Sequence, residues 1–162
     1  MKQKYKITFT ITAFFCFVAF FYFTPSTRHW FYYRMTDVIV SKLTPSKALK
    51  GLKLNDFLLL DTRNIEEYKV SHLPNSIWIG DDDLFWNRLP KTNNKPLLVY
   101  CSIGYRSSIV GKKIIDSLGF EVYNLEYGIF NYNYNKKPLI DSLEKPTKKV
   151  HPFSNFWRLF VN

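Results

Sequence analysis

The sequence predicts an α/β fold: a mostly parallel central sheet flanked by helices, preceded by an N-terminal transmembrane helix. Three observations carry the prediction. Short apolar runs at 58–60, 77–79, 96–100 and 121–125 alternate with stretches that read as helices, and strands alternating with helices pack as a parallel sheet covered on both faces. One of these runs, Pro96-Leu97-Leu98-Val99-Tyr100, leads directly into Cys101-Ser102-Ile103-Gly104-Tyr105-Arg106-Ser107, and open α/β sheets place their sites at the carboxyl ends of strands. Finally, Ile7 to Phe23 is a run of 17 residues without a charge, preceded by Lys2, Lys4 and Lys6.

That N-terminal run would be about 26 Å long as a helix, short but adequate for a bilayer core. A cleaved signal peptide needs small residues at its cleavage site, and Thr24-Pro25-Ser26 supplies a proline instead. A lipoprotein signal would need small residues before Cys16, where Ala13-Phe14-Phe15 stands. An uncleaved anchor over residues 1–24 is therefore expected, with Tyr22, Trp30, Tyr32 and Tyr33 as an interfacial aromatic belt. Three lysines before the span against Arg28 and Arg34 after it favour a cytoplasmic N-terminus. The expected protein is a single-pass membrane protein with its globular domain on the extracytoplasmic side.

Residues 25–44 read as a juxtamembrane stem. At Thr44-Pro45-Ser46 a new element begins, because Thr44 can cap a helix and Pro45 suits a first helical position. Leu58-Leu59-Leu60 is a buried strand ending in the loop Asp61-Thr62-Arg63. Ile65 to Val70 reads as a helical turn, and His72-Leu73-Pro74-Asn75-Ser76 as a turn into the short strand Ile77-Trp78-Ile79. Asp81-Asp82-Asp83 precede the helix-like Leu84–Leu89, and acids suit a helix start. Adjacent side chains on a helix do not converge, so a solvated cap is expected there and no metal site. After the cysteine loop, Ser108–Leu118 reads as a helix stopped by Gly119, and Glu121–Leu125 as a last strand. Near the end, Phe153, Phe156, Trp157, Phe160 and Val161 fall on one face of a helix. That face either packs on the domain or lies on a bilayer with Lys145, Lys148, Lys149 and Arg158 toward lipid phosphates.

The net charge of +10 is unevenly placed. Residues 1–34 carry +5 and residues 136–162 carry +4, while the stretch between them has twelve basic and eleven acidic residues. A nucleic-acid-binding domain wants its basic face on the fold itself, so no nucleic acid is expected as a partner. Basic ends instead suit an anionic membrane surface. The two cysteines are Cys16 and Cys101. With Cys16 inside the apolar run, a bond between them is not expected, and cysteine usage leaves the redox compartment open.

Cys101 is the candidate nucleophile. A cysteine at a strand end is commonly a small buried hydrophobe. Here it sits on a tight turn at the mouth of a helix, where turn N–H groups and the helix's positive end stabilise negative charge. Arg106 adds a fixed cation.

Several segments together resemble the rhodanese (sulfurtransferase) superfamily. Leu59-Leu60-Asp61-Thr62-Arg63 with Glu67-Tyr68 is similar to that family's first motif, and His72-Leu73-Pro74-Asn75-Ser76-Ile77 to its His–Ile–Pro–Gly–Ala turn. Val99-Tyr100-Cys101 with Gly104 and Arg106 resembles its active-site loop, and Val122-Tyr123-Asn124-Leu125 with Gly128-Ile129 its closing motif. The resemblance covers residues 45–138 and leaves 139–162 as a basic, aromatic tail with a short amphipathic helix. Tyr127 stands where many relatives have glycine, and Tyr132 or Tyr134 occupies the region of a usual tryptophan. Four residues separate Cys101 from Arg106; the related cell-cycle phosphatases have five, a wider cradle that fits phosphate.

The resemblance implies sulfur transfer without a cofactor or metal. Cys101 would take a sulfane sulfur from a donor such as thiosulfate, and the persulfide would pass it to a thiol or cyanide. Backbone N–H groups from Ser102, Ile103, Gly104, Tyr105 and Arg106 would cradle the sulfur. Arg106 would pair with an anionic donor, brace the loop, or bridge to an acid such as Asp61. Asp61 and Arg63 would hold the loop, and His72 would make hydrogen bonds in its turn. Two other readings stand beside this one: a membrane-tethered binding module with Cys101 incidental, and phosphatase or arsenate-reductase chemistry.

Overall fold

In the computed structural model, described over residues 2–40, 47–49, 53–83, 85–91 and 95–161, the chain divides into two compact units, residues 1–35 and 36–162. The first holds helix α1 (Lys2–Phe23) and, after a break at Thr24, the beginning of α2 (Pro25–Val40). No single described helix is long and apolar enough to cross a membrane; Lys6–Phe21 and Pro25–Val40 pass that test only as a pair bent by 88°. The single span expected over Ile7–Phe23 is therefore not shown. The helix that contains it also carries Lys2, Lys4 and Lys6, and Thr8, Thr10 and Thr12 dilute its apolar stretch. Its apolar side chains nonetheless stand out from the helix: Phe9, Phe14, Phe15, Phe17 and Phe20 are all exposed.

The second unit is built in chain order from β1 (Lys47–Leu49), β2 (Leu58–Asp61), α3 (Ile65–Val70), β3 (Ile77–Trp78), α4 (Phe85–Arg88), β4 (Leu97–Tyr100), α5 (Tyr105–Leu118), β5 (Val122–Leu125), α6 (Gly128–Tyr134), β6 (Leu139–Ile140), β7 (Pro146–Thr147) and α7 (Arg158–Val161). Five strands make one sheet in the order β1-β5-β4-β2-β3, every pairing parallel. The α/β architecture expected from the sequence, a parallel central sheet flanked by helices, is the one observed. The helix start expected at Thr44 lies outside the described residues, and Lys47–Leu49, just beyond it, is a strand.

Strand β4 lies at the centre, with Leu97–Tyr100 in register with Leu58–Asp61 of β2 and Leu97–Val99 with Val122–Asn124 of β5. All four of its residues are buried, as a strand covered on both faces must be. Alternation along the strands splits the core. Leu60, Leu97, Val99 and Val122 cluster with Val110 and Ile114 of α5 and with Ile79 and Phe85. Each such side chain contributes about 1.5–3 kcal/mol on burial. The apolar stripe of α5 thus explains both why Tyr105–Leu118 is helical and where it docks.

The last segment is tied back to the domain near both of its ends. The antiparallel pair β6–β7 bridges back to the turn after α3, with the His72 N–H donating to the Ile140 carbonyl at 2.8 Å. Phe160 and Val161 of α7 are buried, the Trp157 ring lies 6.2 Å from that of Phe130, and Asn133 Nδ2 donates to the Val161 carbonyl. The helix expected from Phe153 onward is confined to Arg158–Val161. Phe153 stands at φ 61° and the Ser154 N–H donates to the Pro152 carbonyl, a reversal that no helix can continue through.

Candidate active site

Cys101 follows β4 directly, and its side chain is buried. Its Sγ accepts the Gly104 N–H at 3.1 Å, closing the loop upon the sulfur. Gly104 makes that closure possible at φ 100°, a conformation open to glycine because no Cβ clashes. From Tyr105 the chain enters α5, which aims its positive end at the loop.

The loop's carbonyls are fastened on the outside. The Cys101 carbonyl accepts the Ile129 N–H at 2.9 Å and the Ser102 carbonyl accepts the Phe130 N–H at 3.2 Å, both from the first turn of α6. The Gly104 carbonyl accepts Asn124 Nδ2 at 2.9 Å, and Asn124 Oδ1 accepts the Ser107 hydroxyl at 2.7 Å. In a planar trans peptide the next N–H points opposite to the carbonyl. The N–H groups of Ser102, Ile103 and Tyr105 are therefore turned away from α6 and Asn124. This set of ties is what makes a loop of Cys101–Arg106 present donors and not acceptors on its inner side.

Arg106 braces the loop from the other flank. Its Nη1 and Nη2 donate to the two carboxylate oxygens of Glu67 at 2.7 and 2.8 Å. Nη2 also donates to Ser102 Oγ at 3.0 Å, and that hydroxyl donates to Glu67 at 2.9 Å. Burial pushes the Glu67 carboxyl up, but the Arg106 hydrogen bonds and charge, with Arg63 and Ser102, outweigh it and hold the group below its ordinary value. Burial works against the Arg106 charge too, and Glu67, Cys101 and Asp81 together hold that guanidinium above its ordinary value. The acid partnering Arg106 is thus Glu67, where the sequence offered Asp61 as the example.

Asp61 and Arg63 form a separate, fully buried pair with Nη2 and Oδ2 2.6 Å apart. Arg63 Nη2 also donates to the Ser71 carbonyl at 2.6 Å, and Trp78 Nε1 donates to the Arg63 carbonyl. Asp61 and Arg63 therefore clamp the ends of β2, α3 and β3 together. His72 is a bonded turn residue, its Nδ1 3.0 Å from the Tyr68 carbonyl and its ring stacked on Tyr68. Asp82 pairs with Arg88, while Asp81 lies 3.9 Å from Arg106 Nε. Tyr127, the residue departing from the family pattern, adopts φ 57°, the conformation a glycine would take there.

Sequence reasoning missed Glu67 as a site residue, along with Asn124, Phe153 and the N–H groups that open α6. Glu67 and Asn124 stood inside quoted motifs, but a motif does not say which loop its side chains reach. Phe153 was read as one of a helical stripe; its ring lies 4.8 Å over the Arg106 guanidinium.

The profile of the rhodanese-like domain matches residues 44–135. The chain belongs to the rhodanese-like domain family. This rhodanese-like protein is 31% identical over 106 residues to tRNA sulfurtransferase of Desulfurococcus amylolyticus, an overlap of 62% of this chain and 20% of that one. It is 32% identical over 104 residues to tRNA uridine(34) hydroxylase of Wigglesworthia glossinidia brevipalpis, covering 59% of this chain and 33% of the relative. It thus spans a fifth to a third of the length of these curated relatives. Among solved structures, a Helicobacter pylori protein superposes with a TM-score of 0.52 at 26% identity, covering 62% of this chain and 93% of its own. Thiosulfate sulfurtransferase from Pseudomonas aeruginosa shares the fold with a TM-score of 0.50 at 15% identity, over 80% of this chain and 26% of that one.

Proposed function

We propose that this rhodanese-like protein carries sulfane sulfur as a persulfide on Cys101, taking it from a donor and passing it to a thiol or to cyanide. The observation that supports this best is the loop: Cys101 Sγ already accepts one N–H, from Gly104, and the carbonyls of Cys101, Ser102 and Gly104 are bonded outward. In the first step the Cys101 thiolate attacks the outer sulfur of the donor. A new S–S bond forms as the donor's sulfur–sulfur bond breaks, and the donor leaves with the electron pair. Backbone N–H groups hold the outer sulfur's negative charge without reorganising. In the second step an acceptor thiolate attacks that sulfur and Cys101 leaves as thiolate. Ser102 and Arg106 hold the loop in shape; Asp61 and Arg63 act one layer further out.

The curated relatives named above act on tRNA. The near-neutral charge of residues 35–135 supports a small-molecule or protein thiol as the acceptor here. The exposed phenylalanines of α1 support attachment to a membrane, and Lys2, Lys4 and Lys6 before them against Arg28 and Arg34 after them favour an extracytoplasmic domain. The hydroxyls of Thr10 and Thr12, bonded to the carbonyls of Lys6 and Thr8, leave little polarity to desolvate there.

The test is a mass measurement. Cys16 is the only other cysteine, so the Cys16→Ser chain reports on Cys101 alone. Incubated with excess thiosulfate, it should gain one sulfur atom and lose it on adding cyanide. Cys101→Ser should gain none while keeping its circular dichroism. Absence of any gain from a sulfane donor would refute sulfur transfer and leave the binding-module reading.

A further inference from the structure

Among the described residues, the arginines at and behind the Cys101 loop are already engaged. Ser102, Ile103, Gly104 and Tyr105 carry no charge. Arg63 is locked to Asp61, both fully buried. Arg106, the remaining cation of the loop, donates to both oxygens of Glu67 at 2.7 and 2.8 Å and to Ser102 at 3.0 Å. Its Nε faces Asp81 at 3.9 Å, so two carboxylates stand around one guanidinium. Its flat face is covered as well, by the Phe153 ring at 4.8 Å.

That cover is built into the fold. Phe153 stands at φ 61° in a one-residue reversal closed by the Ser154 N–H on the Pro152 carbonyl at 2.6 Å. Such a conformation is strained for a residue with a Cβ and persists only where its surroundings hold it. Here the Phe153 N–H donates to His151 Nδ1 at 3.1 Å, and buried Phe160 and Val161 fix the segment beyond it. A donor approaching the sulfur meets backbone N–H groups, Ile103 and half-exposed Tyr105. It meets a local charge of −1 from Arg106, Glu67 and Asp81 before the thiolate is added.

From this geometry, and resting on the sulfur-transfer reading above, we infer that the Cys101 site takes sulfur from a donor of at most one negative charge, of the alkyl-persulfide class, in preference to a small inorganic dianion. The step balances without an oxidant or reductant. The Cys101 thiolate attacks the outer sulfur of R–S–SH, the donor's S–S bond breaks, R–S⁻ leaves with the electron pair, and Cys101 holds the outer sulfur with its proton as Sγ–SH.

Thiosulfate and methanethiosulfonate test the point, because they present the same outer sulfur with two negative charges and with one. Loading of the full-length Cys16→Ser chain in mild detergent is followed by intact mass. Each rate is normalised to the donor's uncatalysed reaction with 2-mercaptoethanol. The unmatched second charge should make the normalised rate with methanethiosulfonate about tenfold higher or more. Asp81→Asn, which removes one of the two acids beside Arg106, should narrow that ratio several-fold. Tyr105→Arg, which adds a cation on the loop's exposed side, should narrow it further. Equal or faster loading by thiosulfate overturns the inference, and so does a ratio that neither substitution moves. Loading by neither of these donors nor by an alkyl persulfide overturns sulfur transfer itself, and the donor class with it.

Discussion

Glu67 accepts from Arg106 through both carboxylate oxygens and from the Ser102 hydroxyl, and its side chain is 2% exposed against 15% for Arg106. Removing one partner of a buried pair leaves the other desolvated and unpaired, so Glu67→Ala should cost about 3 kcal/mol and loosen the loop around Cys101. Urea denaturation reads the first effect and the rate of sulfur loading the second. The pair also sets an acid limit. The Glu67 carboxyl titrates below its ordinary value of 4.5, so its contribution is complete above that value and is lost as pH falls through the lower, folded-state value. Below about pH 4.5 the slope of stability against pH should therefore be shallower in Glu67→Gln than in the unsubstituted protein. Identical slopes would show that the pair carries no linkage. The same pair shows why this residue was hard to see in the sequence. Glu67 and Arg106 are 39 positions apart, and only the parallel pairing of β2 with β4 brings their elements side by side.

Helix α6 is seven residues long, yet its first turn orients the loop. At Gly128 a Cβ would lie 2.5 Å from the carbonyl oxygens of both Cys101 and Ser102, backbone atoms that cannot turn aside. The residue also stands at φ 60°. Gly128→Ala should therefore destabilise by about 3 kcal/mol, combining the left-handed strain with overpacking. Sulfur loading should fall with it even at temperatures where the variant is folded, because the Ile129 and Phe130 N–H groups no longer reach their carbonyls. A variant that melts normally and loads normally would show that the close approach is not needed. Elements of this kind divide by how much of their cause is local. β2, β4 and α5 were legible because their apolar runs are continuous or helically spaced. β1 and β6 are three and two residues long and exist through partners far along the chain, β5 for β1 and the His72 turn for β6, and β7 exists through its pairing with β6. The stripe from Phe153 to Val161 misled because one backbone reversal at Phe153 cancels its periodicity.

Along the whole chain, basic charge and exposed phenylalanines gather toward the two ends. The basic excess lies in residues 1–34 and 136–162, and the exposed phenylalanines lie in α1, at Phe31, and at Phe153 and Phe156. If α1 holds the protein at a bilayer, the full chain should stay in the membrane pellet after alkaline carbonate extraction. A change of Phe14 and Phe17 to Glu should move it to the supernatant. Recovery of the unsubstituted chain in the supernatant would refute attachment. The strand order bears on something else, the order in which the protein is assembled as it is made. Cys101 directly follows the central strand, but its loop is tied down by Asn124 of β5 and by the first turn of α6, all later in the chain. A nascent chain that has just exposed Cys101 carries the thiol without the cradle. The nucleophile is finished only when residue 130 has been synthesised and docked, so a product truncated before α6 holds the reactive cysteine in sequence but not in function.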